Sequence, residues 1–558
     1  MTSLRRTLDR LEANRDRVAL QEVLRGKGTP VSAGAILDRI AAARAFLRDL
    51  GLAKGDRCVL LAQNSANWIA LTLALRAEGL VNVPLYVQRP MDELTAIISQ
   101  CEPALVCGDD SELLARLASQ IGSDVSFATL TEVTSARGST LRQAQGRPEQ
   151  SRGATSSPRA VLNSARPELV EGRADDLVAI IYTSGTSGEP KGAVLTNGSV
   201  EHVIACAGAR LDGLGIRESP EQVFHYLPFC FAGSWILMLT CVSRDALVSL
   251  SLDPKASLID DLAAVAPHYL LNVPIVLERI RARVEEQIAS RPRVVQWALR
   301  QAVLRPLLHR QIRQRFGARL RGLICGSAPL ARETQEWFQT IGIPVYQVYG
   351  LTETTAVCTI DREDPSQVVA GRVGFAIDGV ELRRDETGEI LARGPNIFAG
   401  YWRNPQATAR VLSNGWLRTG DHGDVDAQGN WHIAGRVDSL IVRPNGHKVA
   451  PERLEEMLAS RLPSAQHVVV VDDGGRGLMA VVAGTVSDAE AAEAIAWVNA
   501  RVAPHEAIRA ARIHGQPFTI ENAMLTANGK IKRDRVAVWC RRETSRADSV
   551  PTEFSATA

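Results

Sequence analysis

The sequence predicts an α/β protein, with a large N-terminal domain of mixed sheets and helices followed by a small α+β C-terminal domain. Three observations support this. The chain has 558 residues, and a single hydrophobic core stops growing near ~250–300 residues, so two or more structural units are needed. Short β-like runs alternate with helical patterns through the first part of the chain, as they do in a largely parallel sheet. Near Gly435 the texture changes to a smaller mixture of strands and helix.

The elements follow in order. Ile36, Ile40, Ala43, Leu47 and Leu50 recur at helical spacing and predict a helix over 33–50. Residues 58–61 read as a strand, 65–78 as a helix, 81–83 as a strand, 91–100 as a helix and 104–107 as extended chain. Residues 140–173 interrupt the alternation. They are rich in Arg, Gln, Ser, Pro and Glu, and carry a short Arg-Pro-Glu near-repeat too brief and too polar to stack, so they read as a disordered surface insertion. Residues 177–182 form a continuous apolar run suited to a buried strand, and 322–325 and 344–348 are strand-like. In the small unit, 467–471 and 478–482 read as strands and 487–502 as a helix, while 541–558 read as a flexible, frayed tail.

Composition narrows the function. Apolar residues make up 45% and charged residues 23%, which is ordinary for a globular protein. A net charge of +2 supplies no global field for nucleic acid, so none is expected as a partner. The nine cysteines form no C-x-x-C pair and no metal-like alternation with histidine, and fit a reducing compartment. The N-terminus lacks an apolar signal segment, and the longest apolar run, 231–242, falls short of the ~20 residues needed to span a bilayer. A cytoplasmic location follows as the expectation.

The most informative segment is Tyr182-Thr183-Ser184-Gly185-Thr186-Ser187-Gly188-Glu189-Pro190-Lys191-Gly192, directly after a buried strand. Glycines let backbone N–H groups approach a ligand, four hydroxyls add donors and Lys191 adds a cation, which together make a polyphosphate cradle. It is not the G-x-x-x-x-G-K-[ST] loop: counting from Gly185, Pro190 stands where glycine is needed, and Gly192 replaces Ser or Thr after the lysine. A flexible Ser/Gly turn is the plain alternative.

This segment resembles the signature loop of the adenylate-forming (AMP-binding) superfamily, which includes acyl-CoA synthetases, luciferases and peptide-synthetase adenylation domains. Four further motifs occur in the family's order. They are Tyr349-Gly350-Leu351-Thr352-Glu353-Thr354, Gly415-Trp416-Leu417-Arg418-Thr419-Gly420-Asp421, Gly435-Arg436-Val437-Asp438 and Asn528-Gly529-Lys530-Ile531-Lys532-Arg533. The resemblance implies an adenylation domain over 1–436, a mobile C-terminal domain over 437–540, and ATP, Mg²⁺ and CoA as reaction partners of a small carboxylic acid. No enzyme nucleophile is needed, because such chemistry rests on positioning and charge stabilisation.

The resemblance also implies roles. Thr183, Ser184, Gly185, Thr186, Ser187, Gly188 and Lys191 would cradle the phosphates. Lys530 would place positive charge between the acid and the α-phosphate, Thr352 would bond that phosphate, and Glu353 would ligate magnesium. Helix capping is a competing role for Thr352 and Glu353. Asp421 would accept from the ribose hydroxyls, with a turn aspartate as the alternative. Arg436 would add a ribose or phosphate contact, Gly350 would belong to the nucleotide site, and Tyr349 and the Gly326-Ser327-Ala328 backbone would lie near the base, with packing as the alternative. Asp438 would be the hinge, and the loop around Gly446 would face the site for thiol attack.

Acid and acceptor are less sharply marked. Residues 445–455, and Leu271-Asn272-Val273-Pro274, are similar to the long-chain acyl-CoA synthetase branch. Ser327, where glycine is common, and Val437-Asp438-Ser439, where long-chain members often carry lysine, depart from it. Phe229, Phe231 and Trp235 would give the acyl pocket an apolar wall, with simple core packing as the alternative; many relatives carry histidine at the Phe231 position. An aryl acid, or a separate carrier protein as acceptor, remains open. The arginine-dense stretch 279–321 suggests peripheral contact with an anionic membrane, such as the inner face of the cell membrane, against the alternative of a solvated helical face.

Overall fold

The computed structural model describes residues 2–122, 124–135, 173–184, 190–216, 219–244, 246–290, 310, 313–314, 316–317, 319–443, 448–473, 477–519, 521–525 and 531–545. The predicted insertion, apart from Arg173, lies outside the described residues, as do 185–189, 291–309, Gly446 and Lys530.

Two large sheets carry the N-terminal part. The seven-stranded sheet runs in the order Gly400–Tyr401, Pro190–Thr196, Leu177–Ser184, Val81–Pro84, Arg57–Leu61, Leu105–Gly108, Ser126–Thr129. From Leu177–Ser184 onward its pairings are parallel, and the first two are antiparallel. A nine-stranded sheet has a parallel centre in the order Val345–Tyr349, Gly322–Cys325, Tyr269–Asn272, Glu221–His225, Ala246–Ser251, Val18–Leu24. Short antiparallel strands close both margins.

Local chemistry explains the helices between these strands. Ala33–Asp49 starts where the Ser32 hydroxyl accepts from Ala35 N at 3.1 Å, and Ala66–Ala77 where Ser65 accepts from Trp68 N at 3.1 Å. Each such cap contributes about 1 kcal/mol. Ala232–Ser243, within the longest apolar run, is buried on nearly every face as a core helix. No helix among the described residues is long and apolar enough to cross a membrane.

A five-stranded antiparallel sheet over residues 381–436 and a three-stranded sheet of Ala465–Asp472, Leu478–Gly484 and Ile508–His514 complete the architecture. The cores divide with the sheets. Two clusters draw only on residues 441–540, and the remaining clusters draw only on residues 4–433. The α/β class with a small α+β C-terminal unit is therefore the observed fold.

The structure adds one connection to the sequence reading and corrects one boundary. The phosphate-loop segment bridges an antiparallel hairpin, because the chain returns as Pro190–Thr196 beside Leu177–Ser184. Proline is tolerated there as the first residue of a strand. At the far end, helix Arg533–Ser545 extends into the segment expected to fray, and it buries Val536 and Cys540.

Candidate active site

The site gathers at the carboxyl ends of parallel strands, where open α/β sheets bind ligands. Gly322–Cys325 and Val345–Tyr349 are adjacent and parallel, so the segments that follow them emerge side by side. A Cβ on Gly326 would lie 2.9 Å from the Val348 carbonyl oxygen, and one on Gly350 would lie 2.2 Å from the Ala356 oxygen. Both glycines are thus demanded by close backbone approach. Beyond Gly350 the chain turns through a 3₁₀ segment, Thr352–Thr354, into Thr355 and Ala356 at φ +50° and +78°. Two successive non-glycine residues in the left-handed region are a strained arrangement of the kind that clusters at active sites. Thr355 Oγ1 donates to Asn396 O at 2.8 Å, and Asn396 Nδ2 donates to Val357 O at 2.7 Å, so the turn is held from behind.

The capping role falls to Thr354, whose hydroxyl accepts from Leu351 N at 2.8 Å. Among the described residues, the Thr352 hydroxyl has no protein hydrogen bond. Glu353 is held by the Tyr401 hydroxyl, which donates to Oε1 at 2.7 Å. Burial and the Glu353 carboxylate raise the Tyr401 phenol, so it stays a donor, while the nearby Arg436 charge opposes that rise. Lys191 Nζ stands 5.6 Å from the centre of the Tyr401 ring, within cation–π range. Tyr401 reaches this place because Gly400–Tyr401 pairs with the returning hairpin strand, opposite Val194 and Ala193. Thr183 lies across that hairpin from Lys191, and Ser184 across from Pro190.

A second cluster adjoins the first. Asp421, 4% exposed, accepts from the Tyr349 hydroxyl at 2.8 Å and from Arg436 Nη1 at 2.9 Å. Asp421 and Arg436 are direct cross-strand partners in the antiparallel sheet. Burial and the Asp421 carboxylate push the Tyr349 phenol well above its usual range, which keeps its proton on oxygen and its bond to Asp421 intact. Arg436 Nη2 also faces Asp438 at 3.8 Å, so the residue read as a hinge is ion-paired to the site's arginine. Ser327 and Ala328 are exposed at the rim, with Ser327 at φ +73°.

Phe229 and Trp235 lie inside the largest core, at 1% and 0% exposure, with the Phe229 ring 5.0 Å from Trp68. Phe231 is half-buried, its ring 5.8 Å from that of Tyr86. All nine cysteines are free, and no group of three or more metal-binding side chains occurs among the described residues.

Sequence reasoning missed Tyr401 and Asn396. Both belong to the run Gly394-Pro395-Asn396-Ile397-Phe398-Ala399-Gly400-Tyr401, where glycine and proline punctuate apolar residues beside an aromatic. That punctuation marks a turn, but only sheet pairing reveals what the turn serves.

Comparison with known proteins identifies the family. Among curated proteins, a long-chain-fatty-acid–CoA ligase from Mycobacterium bovis, FadD15, is 30% identical over 94% of this chain and 93% of its own length. A chloroplastic long-chain-fatty-acid–[acyl-carrier-protein] ligase from Arabidopsis thaliana, AEE15, is 25% identical over 89% of this chain and 80% of its own length. Among solved structures, the o-succinylbenzoate CoA synthetase of Bacillus subtilis, complexed with its acyl-adenylate intermediate, superposes with a TM-score of 0.74 at 20% identity. It covers 99% of both chains and shares the fold. The AMP-binding enzyme family matches residues 8–402. The chain, with its Tyr349–Asp421–Arg436 and Lys191–Tyr401–Glu353 clusters, belongs to the AMP-binding enzymes, the adenylate-forming family.

Proposed function

We propose that this protein is an acid–thiol ligase that consumes ATP. A carboxylic acid attacks the α-phosphorus of ATP, pyrophosphate leaves, and the resulting acyl-adenylate passes its acyl group to the thiol of CoA, releasing AMP. The observation that carries the reading is the gathering of residues from separate stretches of sequence into two clusters, Lys191 and Glu353 on Tyr401, and Asp421, held by Arg436, on Tyr349.

The residues divide the work by charge. Lys191, with Thr183, Ser184 and the glycines and hydroxyls of 185–188, neutralises the outgoing diphosphate. Thr352 offers its hydroxyl to the α-phosphate. Asp421, oriented by Tyr349 and Arg436, accepts from the ribose. Glu353 suits magnesium: it is an oxygen donor held at Oε1 by Tyr401, and Mg²⁺ characteristically takes one or two carboxylates plus nucleotide phosphates. Bound there, the ion supplies charge neutralisation. Lys530 is assigned to the developing charge between acid and phosphate on the strength of its motif.

We assign residues 1–436 to nucleotide and acid binding and 437–540 to a domain that turns at Asp438, bringing the loop around Gly446 to the adenylate for thiol attack. A medium- or long-chain fatty acid is the favoured substrate, supported by similarity to FadD15 along nearly the whole chain. Phe231 and Tyr86 offer it ring surface, while Phe229 and Trp235 belong to the adjoining core. Loading of a carrier protein is the second reading, favoured by the similarity to the acyl-carrier-protein ligase.

The test is a panel of acids read by exchange of labelled pyrophosphate into ATP, with and without CoA. Lys530→Ala is expected to lose exchange by about 10²–10³-fold while still binding ATP. ATP cleaved to ADP, or no acid-stimulated exchange across the panel, rejects the ligase reading. Thioester formed with free CoA separates the first acceptor from the second.

A further inference from the structure

Arg533 opens the helix Arg533–Ser545, three residues after Lys530, and its side chain is among the most fully engaged in the small domain. Nη1 ion-pairs with Glu455 Oε1, and Nη2 meets Glu455 Oε2 at 3.0 Å, a two-pronged contact on one carboxylate. Nη1 also donates to Val470 O at 2.9 Å, and Nη2 approaches Glu452 Oε1 at 3.5 Å. Glu455 is itself anchored, because Oε1 accepts from Val470 N at 2.6 Å. A guanidinium fork matched to a carboxylate fixes direction as well as distance, which a lysine ammonium cannot do.

The fork clamps a base that is already narrow. Leu525 and Ile531 form an antiparallel bridge, and Lys532 N donates to Met524 O at 2.8 Å, so the chain entering and leaving 526–530 is pinned at both sides. Beneath it, Met524, Val536 and Cys540 are buried against the sheet. On the other side, Glu452 and Glu455 belong to helix Pro451–Ala459, which packs on the strand Trp431–Arg436. The second oxygen of Glu452 is buried with no hydrogen-bond partner and lies 2.8 Å from where a Cβ on Gly435 would stand. A continuous path of contacts therefore leads from the base of the 526–530 segment, through Arg533 and Glu452, to Gly435, the neighbour of Arg436.

We propose that Arg533 is a positioning residue for adenylation: its fork on Glu455 and Glu452 fixes Ile531 and Leu525, the two ends between which the lysine-bearing stretch runs, on the small domain. The proposal rests on the ligase reading above. It makes Arg533 matter to the first half-reaction, where Lys530 acts, and not to the second, where a different face of the small domain serves the thiol.

The experiment compares the full-length wild type with Arg533→Ala, Arg533→Lys and Glu455→Gln. Three quantities are read: acid-dependent pyrophosphate–ATP exchange, thioester formation from supplied acyl-adenylate and CoA, and the thermal midpoint. Arg533→Ala is expected to lower exchange about 10²-fold, the scale of a misplaced catalytic group, while thioester formation proceeds at the wild-type rate. Arg533→Lys should recover only part of the exchange, and Glu455→Gln, which keeps the shape of the helix, should show the same one-sided loss if Arg533→Ala does not fold. Equal losses in both half-reactions tracking a fall in midpoint, or exchange unchanged in every variant, overturn the proposal. Absence of exchange in the wild type overturns the ligase reading instead.

Discussion

Asp361 sits at 2% exposure with one carboxylate oxygen accepting from Gln347 N at 2.7 Å and the other without a partner. Burial pushes its carboxyl up to about 7, against the opposing pull of the Gln347 hydrogen bond. The folded value thus lies above the ordinary carboxylate value, so the protonated form is favoured in the native state. The penalty is absent below about pH 4 and grows as pH rises towards 7, so stability from this group falls across that window. Asp361→Asn, which cannot ionise, is expected to gain about 1–3 kcal/mol relative to wild type between pH 5 and pH 8, read by denaturant midpoints. A gap independent of pH would contradict this assignment. The same scale shows what sequence can and cannot disclose. Asp421, Glu353 and Arg436 were legible because motif position marks them, whereas Tyr401 was not, since its partner Glu353 is brought to it only by sheet pairing.

Among the elements, the turn leaving Gly322–Cys325 holds the clearest conflict between residue and conformation. Ser327 adopts φ +73°, in the left-handed region, at an exposed position. Glycine is common at this position in the family, and the backbone explains the preference. Ser327→Gly is expected to raise stability by about 0.5–1 kcal/mol, measured as a higher unfolding midpoint. A lower midpoint would mean that the serine side chain compensates for its backbone. Most elements were readable from periodicity: predicted 33–50, 91–100 and 322–325 correspond to Ala33–Asp49, Met91–Cys101 and Gly322–Cys325. The antiparallel sheet over 381–436 was not readable. Glu381–Arg384 has three exposed residues in four, and Leu412–Ser413 is two residues long, so neither offers an alternation to detect.

At the scale of the molecule, the division into a large and a small unit followed from length and from the change of texture near Gly435, and the cores obey it. How the units meet was not legible, because it depends on a few contacts distant in sequence. Arg332 N donates to Glu456 at 3.3 Å, and Glu452 seats against Gly435. Gly435 has φ +146°, a conformation that side chains rarely adopt, so Gly435→Ala combines backbone strain with displacement of Glu452. The expected result is a loss of about 1–3 kcal/mol and faster protease cleavage within 437–450, seen by limited proteolysis. Unchanged cleavage would show that this seat does not hold the units together. The Asp421–Arg436 pair has one further effect. The arginine that steadies the carboxylate assigned here to the ribose is the last residue of its strand and also grips Asp438, at the root of the arm proposed to swing. Cargo and axle share a single rivet, so in the proposed cycle the arm's return would be timed by the departure of spent nucleotide.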